Sequence, residues 1–169
     1  MNKSVVIMGV AGCGKSSLGA MLAQRTGTDL VEGDDYHSPA SREKMSQGIP
    51  LTDADREGWL ETLGELLRKS PKGAVLTCSA LKKAYRDRLR TAAPGLGFIY
   101  LEISPDEALR RVNARAGDHF FPVKLVDSQF ATLESPIGEA GVLALDGVLS
   151  LAKLTEQALV WLNKGEGDE

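Results

Sequence analysis

The residues with the plainest chemistry are Gly9-Val10-Ala11-Gly12-Cys13-Gly14-Lys15-Ser16, which fit G-x-x-x-x-G-K-[ST] at every fixed position. The three glycines let the backbone curl so that successive N–H groups point inward at anionic oxygens, and the turn feeds the positive end of a helix dipole. Lys15 reaches the outer phosphates in such a loop, and Ser16 offers a hydroxyl to the magnesium ion that accompanies them. Residues 9–17, ending at Ser17, therefore form a candidate nucleoside triphosphate cradle. Cys13 lies among backbone donors at a helix N-terminus, a place that lowers a thiol pKa, so its alkylation is expected to slow when nucleotide binds.

A second group of charges follows. Glu32 and Asp34 stand at the end of a short apolar run, and i, i+2 spacing in an extended chain aims both to one side, with Asp35 opposite. Lys82, Lys83, Arg86, Arg88 and Arg90 crowd one helix. For Lys83 and Arg90 a solvated face is the expectation, whereas Lys82 and Arg86, at i, i+4 directly after a strand end, could face a cleft.

The elements that must hold these groups alternate between two periodicities. Ser4 to Met8 is a short apolar, β-branched run suited to the middle of a parallel sheet, and Leu18, Met21 and Leu22 carry a helical stripe after the glycine loop. Further strands are expected at Leu30-Val31, Ala74 to Cys78, Gly97 to Ile103 and Val142 to Leu145. Thr52, with Asp55 at N3, caps a helix burying Trp59, Leu60, Leu63, Leu66 and Leu67; Ser104-Pro105-Asp106-Glu107 reads as a capping box. A helix over Leu125, Val126, Phe130 and Leu133 and another over Leu151, Leu154, Ala158, Trp161 and Leu162 complete the set. The fold expected is α/β: a three-layer αβα arrangement around a five-stranded parallel sheet. Residues 1–164 make one domain, a mobile polar flap covers about 36–54 with a short helix near Arg42 to Met45, a lid covers about 115–123, and 165–169 is a disordered acidic tail.

Length and composition set the outer bounds. A chain of 169 residues with 43% hydrophobic content supports one full core. Net charge of −3 gives no broad electrostatic footprint for nucleic acid or anionic membrane, so neither is an expected partner. No segment is long enough to cross a bilayer, and no leader pattern precedes the first strand. Cys13 and Cys78 lack metal-ligand spacing or a disulfide framework, which points to a reducing cytoplasm.

With a phosphate loop in place, two function classes compete: phosphoryl transfer to a small molecule, and a nucleotide-dependent switch or binding module. A guanine-reading switch needs N-K-x-D at a strand end, but Asn163-Lys164-Gly165-Glu166 lacks the acid and lies beyond the last helix. Asp55-Arg56-Glu57-Gly58 matches D-x-x-G where a helix starts, so it carries no switch signal. Phosphoryl transfer needs magnesium, cations and a carboxylate that holds an acceptor hydroxyl, and the strand ends supply those groups.

Four blocks sharpen this further. Gly9 to Ser16, Glu32-Gly33-Asp34-Asp35-Tyr36-His37, the run from Lys44-Met45 to Trp59-Leu60, and the run from Cys78-Ser79-Ala80-Leu81-Lys82-Lys83 to Arg90 resemble gluconate kinase, as do His119-Phe120-Phe121 and Ser128-Gln129-Phe130 with Leu133, Glu134 and Pro136. The resemblance spans the first strand to about Pro136. It implies a nucleoside-monophosphate-kinase-like fold with core, lid and flap, ATP-dependent conversion of D-gluconate to 6-phosphogluconate, and a homodimer. A related kinase of another hydroxylated acid, such as shikimate, is the alternative substrate class.

Carried over by residue, the resemblance places ATP at Gly9 to Ser16, nucleotide and lid arginines at Arg111 and Arg115, and the acceptor near Asp34. Lys15, Asp34 and Arg115 are then the catalytic candidates, and Ser16 with Glu32 the magnesium pair. Several family members have Asp at position 32, so Glu32 has a longer reach. The lid, Arg115-Ala116-Gly117-Asp118-His119-Phe120, is one residue longer than the family's R-x-G-H-F. Gluconate has a carboxylate at one end and its phosphorylated hydroxyl at the other. Arg56, Lys82 and Arg86 are candidates for the first, arginine being the better bidentate partner. Asp34, His37, Ser79 and Tyr85 are candidates for hydroxyls, although a lone histidine ordinarily makes a structural hydrogen bond and a tyrosine one turn into a helix ordinarily packs in the core.

Overall fold

Alternate residues of the first strand face different hydrophobic clusters: Val5 and Ile7 belong to one, Val6 and Met8 to the other. A strand buried on both sides has this pattern, and the run of β-branched and apolar side chains has no polar face to offer water. The computed structural model describes residues 4–114 and 123–167. In chain order these form β1 (Val5–Met8), α1 (Lys15–Thr26), β2 (Asp29–Glu32), a 3₁₀ turn (Gly33–Tyr36), α2 (Pro39–Ser46), α3 (Asp53–Arg68), β3 (Ala74–Thr77), α4 (Lys83–Ala92), β4 (Gly97–Glu102), α5 (Pro105–Ala114), α6 (Val123–Thr132), β5 (Val142–Asp146) and α7 (Leu151–Gly167).

The five strands are parallel, in the order β2-β3-β1-β4-β5. From β1 the chain moves outward to β2, returns through β3 and crosses to β4 and β5. β1 therefore stands where the strand order reverses, and ligands bind beyond the carboxyl ends of strands at such a point. One cluster packs α1 (Leu18, Leu22), α5 (Ala108, Val112) and α7 (Leu154, Ala158) against the sheet. The other packs α3 (Trp59, Leu60, Leu63) and α4 (Leu89) on the opposite face. Each buried leucine or valine among these contributes about 1.5–3 kcal/mol through burial. The three-layer α/β expectation agrees with this architecture.

Local sequence explains most of the ends. Thr52 accepts the Asp55 amide while the Asp55 carboxylate accepts the Thr52 amide, so the α3 capping box is complete. At α5 the box is half made: Ser104 Oγ accepts the Glu107 amide, but the Glu107 carboxylate turns to Arg110 and Arg111. These two guanidiniums hold its carboxyl at about 2, below the ordinary range.

Three expectations change. The flap contains an eight-residue helix, α2, capped by Ser38 and with Ser41 buried, so part of it is packed rather than loose. Strand geometry ends at Glu32: Gly33–Tyr36 is a 3₁₀ turn, and alternation therefore does not set the directions of Asp34 and Asp35. α7 runs to Gly167, past the point where the acidic tail was expected to leave the helix. The lid expected at about 115–123 lies outside the described residues except for its last position, where α6 begins.

Candidate active site

The glycine loop between β1 and α1 is built from strained-for-others backbone: Gly9, Gly12 and Gly14 have φ of 144°, 82° and 100°. A Cβ on Gly9 would lie 2.7 Å from Cys13 Sγ and 2.9 Å from the Leu101 carbonyl oxygen, so the cradle has room only for hydrogen there. Val10 and Cys13 are buried, which leaves their backbone, not their side chains, for a ligand. The Cys13 thiol packs inward beneath Gly9 at 1% exposure, so the expected nucleotide-sensitive alkylation is corrected: burial itself shields the sulfur. Lys15 arches over the loop, its Nζ donating to the carbonyls of Gly9 at 2.9 Å and Val10 at 3.1 Å. The Gly9 amide donates to the Ser79 carbonyl at 3.3 Å, tying the loop to the end of β3.

Ser16 and Glu32 meet, Ser16 Oγ donating to Glu32 Oε2 at 3.1 Å. A hydroxyl and a carboxylate are the hard oxygen donors that magnesium takes, and the lysine and loop amides beside them suit its phosphate ligands. The donor set thus fits a magnesium nucleotide. Ser17 is exposed on the first turn of α1. Arg111 reaches the loop from α5, donating to Gly12 O at 3.0 Å and Gly147 O at 2.9 Å. Arg115 lies outside the described residues.

One cleft is lined by Lys15, Asp34, His37, Arg56 and Ser79, together with Trp59 from α3 and Gln129 from α6. Its far wall depends on a close approach: a Cβ on Gly33 would lie 2.4 Å from the Thr77 carbonyl oxygen. Trp59 Nε1 donates to the Gly33 carbonyl at 2.8 Å, and its ring stacks on His37 with centroids 4.2 Å apart. His37 is buried, and its Nδ1 has no hydrogen-bond partner among the described residues. Its Nε2 lies 3.5 Å from Asp34 Oδ1, and the Asp34 side chain is 83% exposed. The bond from His37 lowers the Asp34 pKa, and the charges of Lys15 and Arg42 act in the same direction.

The remaining expected substrate residues divide. Arg56 donates to Tyr85 Oη at 3.0 Å and to the Leu51 carbonyl at 2.9 Å, which fixes its guanidinium at the cleft. Tyr85 is buried, with its hydroxyl bonded to Asp53, and desolvation followed by that bond raises its pKa. Lys82 pairs with Asp53 at 3.0 Å. Neither Lys82 nor Tyr85 is among the residues lining the cleft; Tyr85 supports Arg56 from behind, and Lys82 reaches Asp53 and the Tyr85 ring.

Arg86 differs most from expectation. It is fully buried, bound to Glu139 at 2.6 Å, to Ala80 O at 2.8 Å and to Glu134 O at 2.9 Å, so each nitrogen of its fork donates inside the protein and Arg86 is not among the residues lining the cleft. Arg90 is likewise no merely solvated charge: it joins Glu139 at 2.9 Å and lies over the Phe98 ring at 4.7 Å. Lys83 is exposed and pairs with Asp87, as a solvated face does.

Gln129 was absent from the expected site, yet its Oε1 accepts the Ala11 amide of the glycine loop at 2.7 Å. Helical periodicity cannot separate it from its core neighbours on α6, although the block Ser128-Gln129-Phe130 carried a signal. Trp59 belongs to the core, as its helical spacing predicts, and it also forms a wall of the cleft.

A family model described as an AAA domain matches residues 5–136. The gluconokinase of Gluconobacter oxydans is 46% identical over 146 residues, covering 85% of this chain and 82% of that protein. The chain belongs to the gluconokinase family. Its relatives include the thermosensitive gluconokinase of Escherichia coli, 41% identical over 160 residues, covering 92% of this chain and 84% of that one. Among solved structures, a gluconokinase from Sinorhizobium meliloti superposes with a TM-score of 0.89 at 45% identity, covering 96% of this chain and 92% of that one. An unliganded sugar kinase from a Janibacter species gives 0.90 at 38% identity, covering 96% and 95%. The chain is therefore a carbohydrate kinase.

Proposed function

We propose that the chain transfers the terminal phosphoryl group of ATP to D-gluconate, giving 6-phospho-D-gluconate and ADP. The observation that carries this reading is the shared cleft: Lys15 of the phosphate loop and Asp34 stand on its reacting side, and Arg56 is held in the same cleft by Tyr85 and Leu51. A linear sugar acid needs a cation for its carboxylate and an acid beside its reacting hydroxyl.

In this account the glycine-loop amides, Lys15 and Arg111 hold the nucleotide phosphates and Arg56 takes the gluconate carboxylate. His37 and Ser79 lie where hydroxyls along the chain would pass. Asp34 orients the terminal hydroxyl and accepts its proton as the oxygen bonds to the γ-phosphorus and the bond to the bridging β–γ oxygen breaks, ADP being the leaving group. Lys15 balances charge that spreads over the phosphoryl oxygens. Magnesium, held by Ser16 and Glu32, would supply further charge neutralisation. Arg115 would act from the lid.

The chain is read as acting in the cytoplasm, which its free, buried Cys13 and Cys78 support. Among the described residues no helix is long and apolar enough to cross a membrane. A homodimer is part of this reading, supported by the family resemblance, and sedimentation of the purified chain measures it. The activity is tested by a panel of sugar acids with ATP and magnesium. Gluconate is expected to be phosphorylated fastest. A cyclic hydroxy acid such as shikimate turning over faster would overturn the substrate assignment, and nucleotide hydrolysis indifferent to every acceptor would favour a switch.

A further inference from the structure

Glu32 and Thr77 are register partners in the parallel pairing of β2 and β3, so their side chains share the face covered by α1. Thr77 is 4% exposed, and its Oγ1 donates to Glu32 Oε2 at 2.5 Å. That carboxylate oxygen is also the one that accepts from Ser16 Oγ. The other half of Thr77 sets the distance. A Cβ on Gly19 would lie 2.6 Å from Thr77 Cγ2, so α1 approaches β3 as closely as it does because residue 19 has no side chain. Ser16 lies one turn earlier on that helix. The methyl of Thr77 thus packs beneath α1 while its hydroxyl grips the carboxylate that meets Ser16.

We propose that Thr77 is a positioning residue for the divalent cation: its hydroxyl turns the Glu32 carboxylate toward Ser16, so that the two present their oxygens as a single site. The inference rests on Ser16 and Glu32 being the magnesium pair. A long carboxylate on the strand beyond β3 has rotamers that point away from Ser16, and a buried donor that binds one of its oxygens removes them. Partners of this kind commonly change metal affinity by about 10- to 100-fold when lost.

The test uses Thr77→Val, which keeps the shape and the packing on Gly19 but removes the donor, Thr77→Ser, which keeps the hydroxyl, and Glu32→Gln as a reference. Manganese binding to the ADP-bound enzyme is read by loss of the free-ion paramagnetic resonance signal, beside the magnesium concentration for half-maximal turnover and KM for gluconate. Thr77→Val is expected to weaken manganese binding and raise the magnesium requirement by about tenfold, with KM for gluconate unchanged and Thr77→Ser near wild type. Wild-type manganese binding in Thr77→Val beside weak binding in Glu32→Gln would overturn the role of Thr77. So would Thr77→Ser binding as weakly as Thr77→Val. Wild-type binding in Glu32→Gln would instead remove the magnesium reading of Glu32, and this inference with it.

Discussion

Arg86 holds the carbonyl of Ala80 at 2.8 Å from inside the protein, and Ala80 has a left-handed φ of 47°. An L-residue there is strained by about 1–2 kcal/mol, and it persists only where its surroundings fix it. The preceding Ser79 lines the cleft and accepts the Gly9 amide, so a buried ion pair on the far side of the turn shapes the floor under the phosphate loop.

Removing that support should be costly. Arg86→Met leaves Glu139, whose side chain is 13% exposed, with Arg90 alone, and breaking a buried pair from one side costs about 3–5 kcal/mol. Arg86→Lys should recover little, because a single ammonium cannot reproduce the bidentate fork and its two carbonyl contacts. Urea unfolding measures both. A loss below about 1 kcal/mol for Arg86→Met would show that the pair contributes packing and no more.

The flap and α3 are joined by Lys44 and Asp55, 2.8 Å apart. The bond from Lys44, aided by the Thr52 amide, lowers the Asp55 carboxyl to about 2. A folded pKa below the unfolded value of about 3.9 contributes stability that is complete above about pH 4–5 and is lost as pH falls through the folded value. Lys44→Met should therefore melt lower than wild type at neutral pH, and the difference should close as pH falls from about 5 to about 2. A gap in melting temperature that is constant over that range would mean the contact is apolar packing by the lysine stem.

How much of this was legible depends on the range over which each signal acts. Strand and helix patterns for β1, α1 and α3 are local, and so are the caps at Thr52 and Ser104; all could be read from neighbours in sequence. The phosphate loop is legible for the same reason, since Gly9 to Ser16 contain both its geometry and its chemistry. Arg86 was not. Its spacing from Lys82 suggested a common face, but Lys82 is the N-cap of α4, where side-chain direction no longer follows helical periodicity. Its carboxylate partner Glu139 lies more than fifty residues away. Asp34 and Asp35 were placed by alternation, which fails once Gly33 crosses the Thr77 carbonyl and the chain tightens into a 3₁₀ turn. Thr77 looks like an ordinary member of a strand until the sheet brings β2, β3 and α1 together, and Gln129 like an ordinary member of a helix until α6 meets the loop after β1.

Lys15→Ala should lower turnover by about 10²-fold or more while the melting temperature stays near wild type, since among the described residues Lys15 Nζ bonds only to the carbonyls and sulfur of its own loop. Activity and melting are to be measured on one preparation. Turnover within a few-fold of wild type would remove Lys15 from the reaction.

The central claim is that Asp34 orients and deprotonates the hydroxyl that receives the phosphoryl group. It is tested most directly by the single-turnover rate with gluconate for Asp34→Asn, measured beside ATP affinity and with Asp35→Asn as control. The substitution keeps the shape and removes the proton acceptor. The account predicts a rate lower by about 10²- to 10⁴-fold, ATP affinity near wild type because backbone amides and Lys15 make the cradle, and a near-normal Asp35→Asn. A chemical step retained in Asp34→Asn and lost in Asp35→Asn would contradict it.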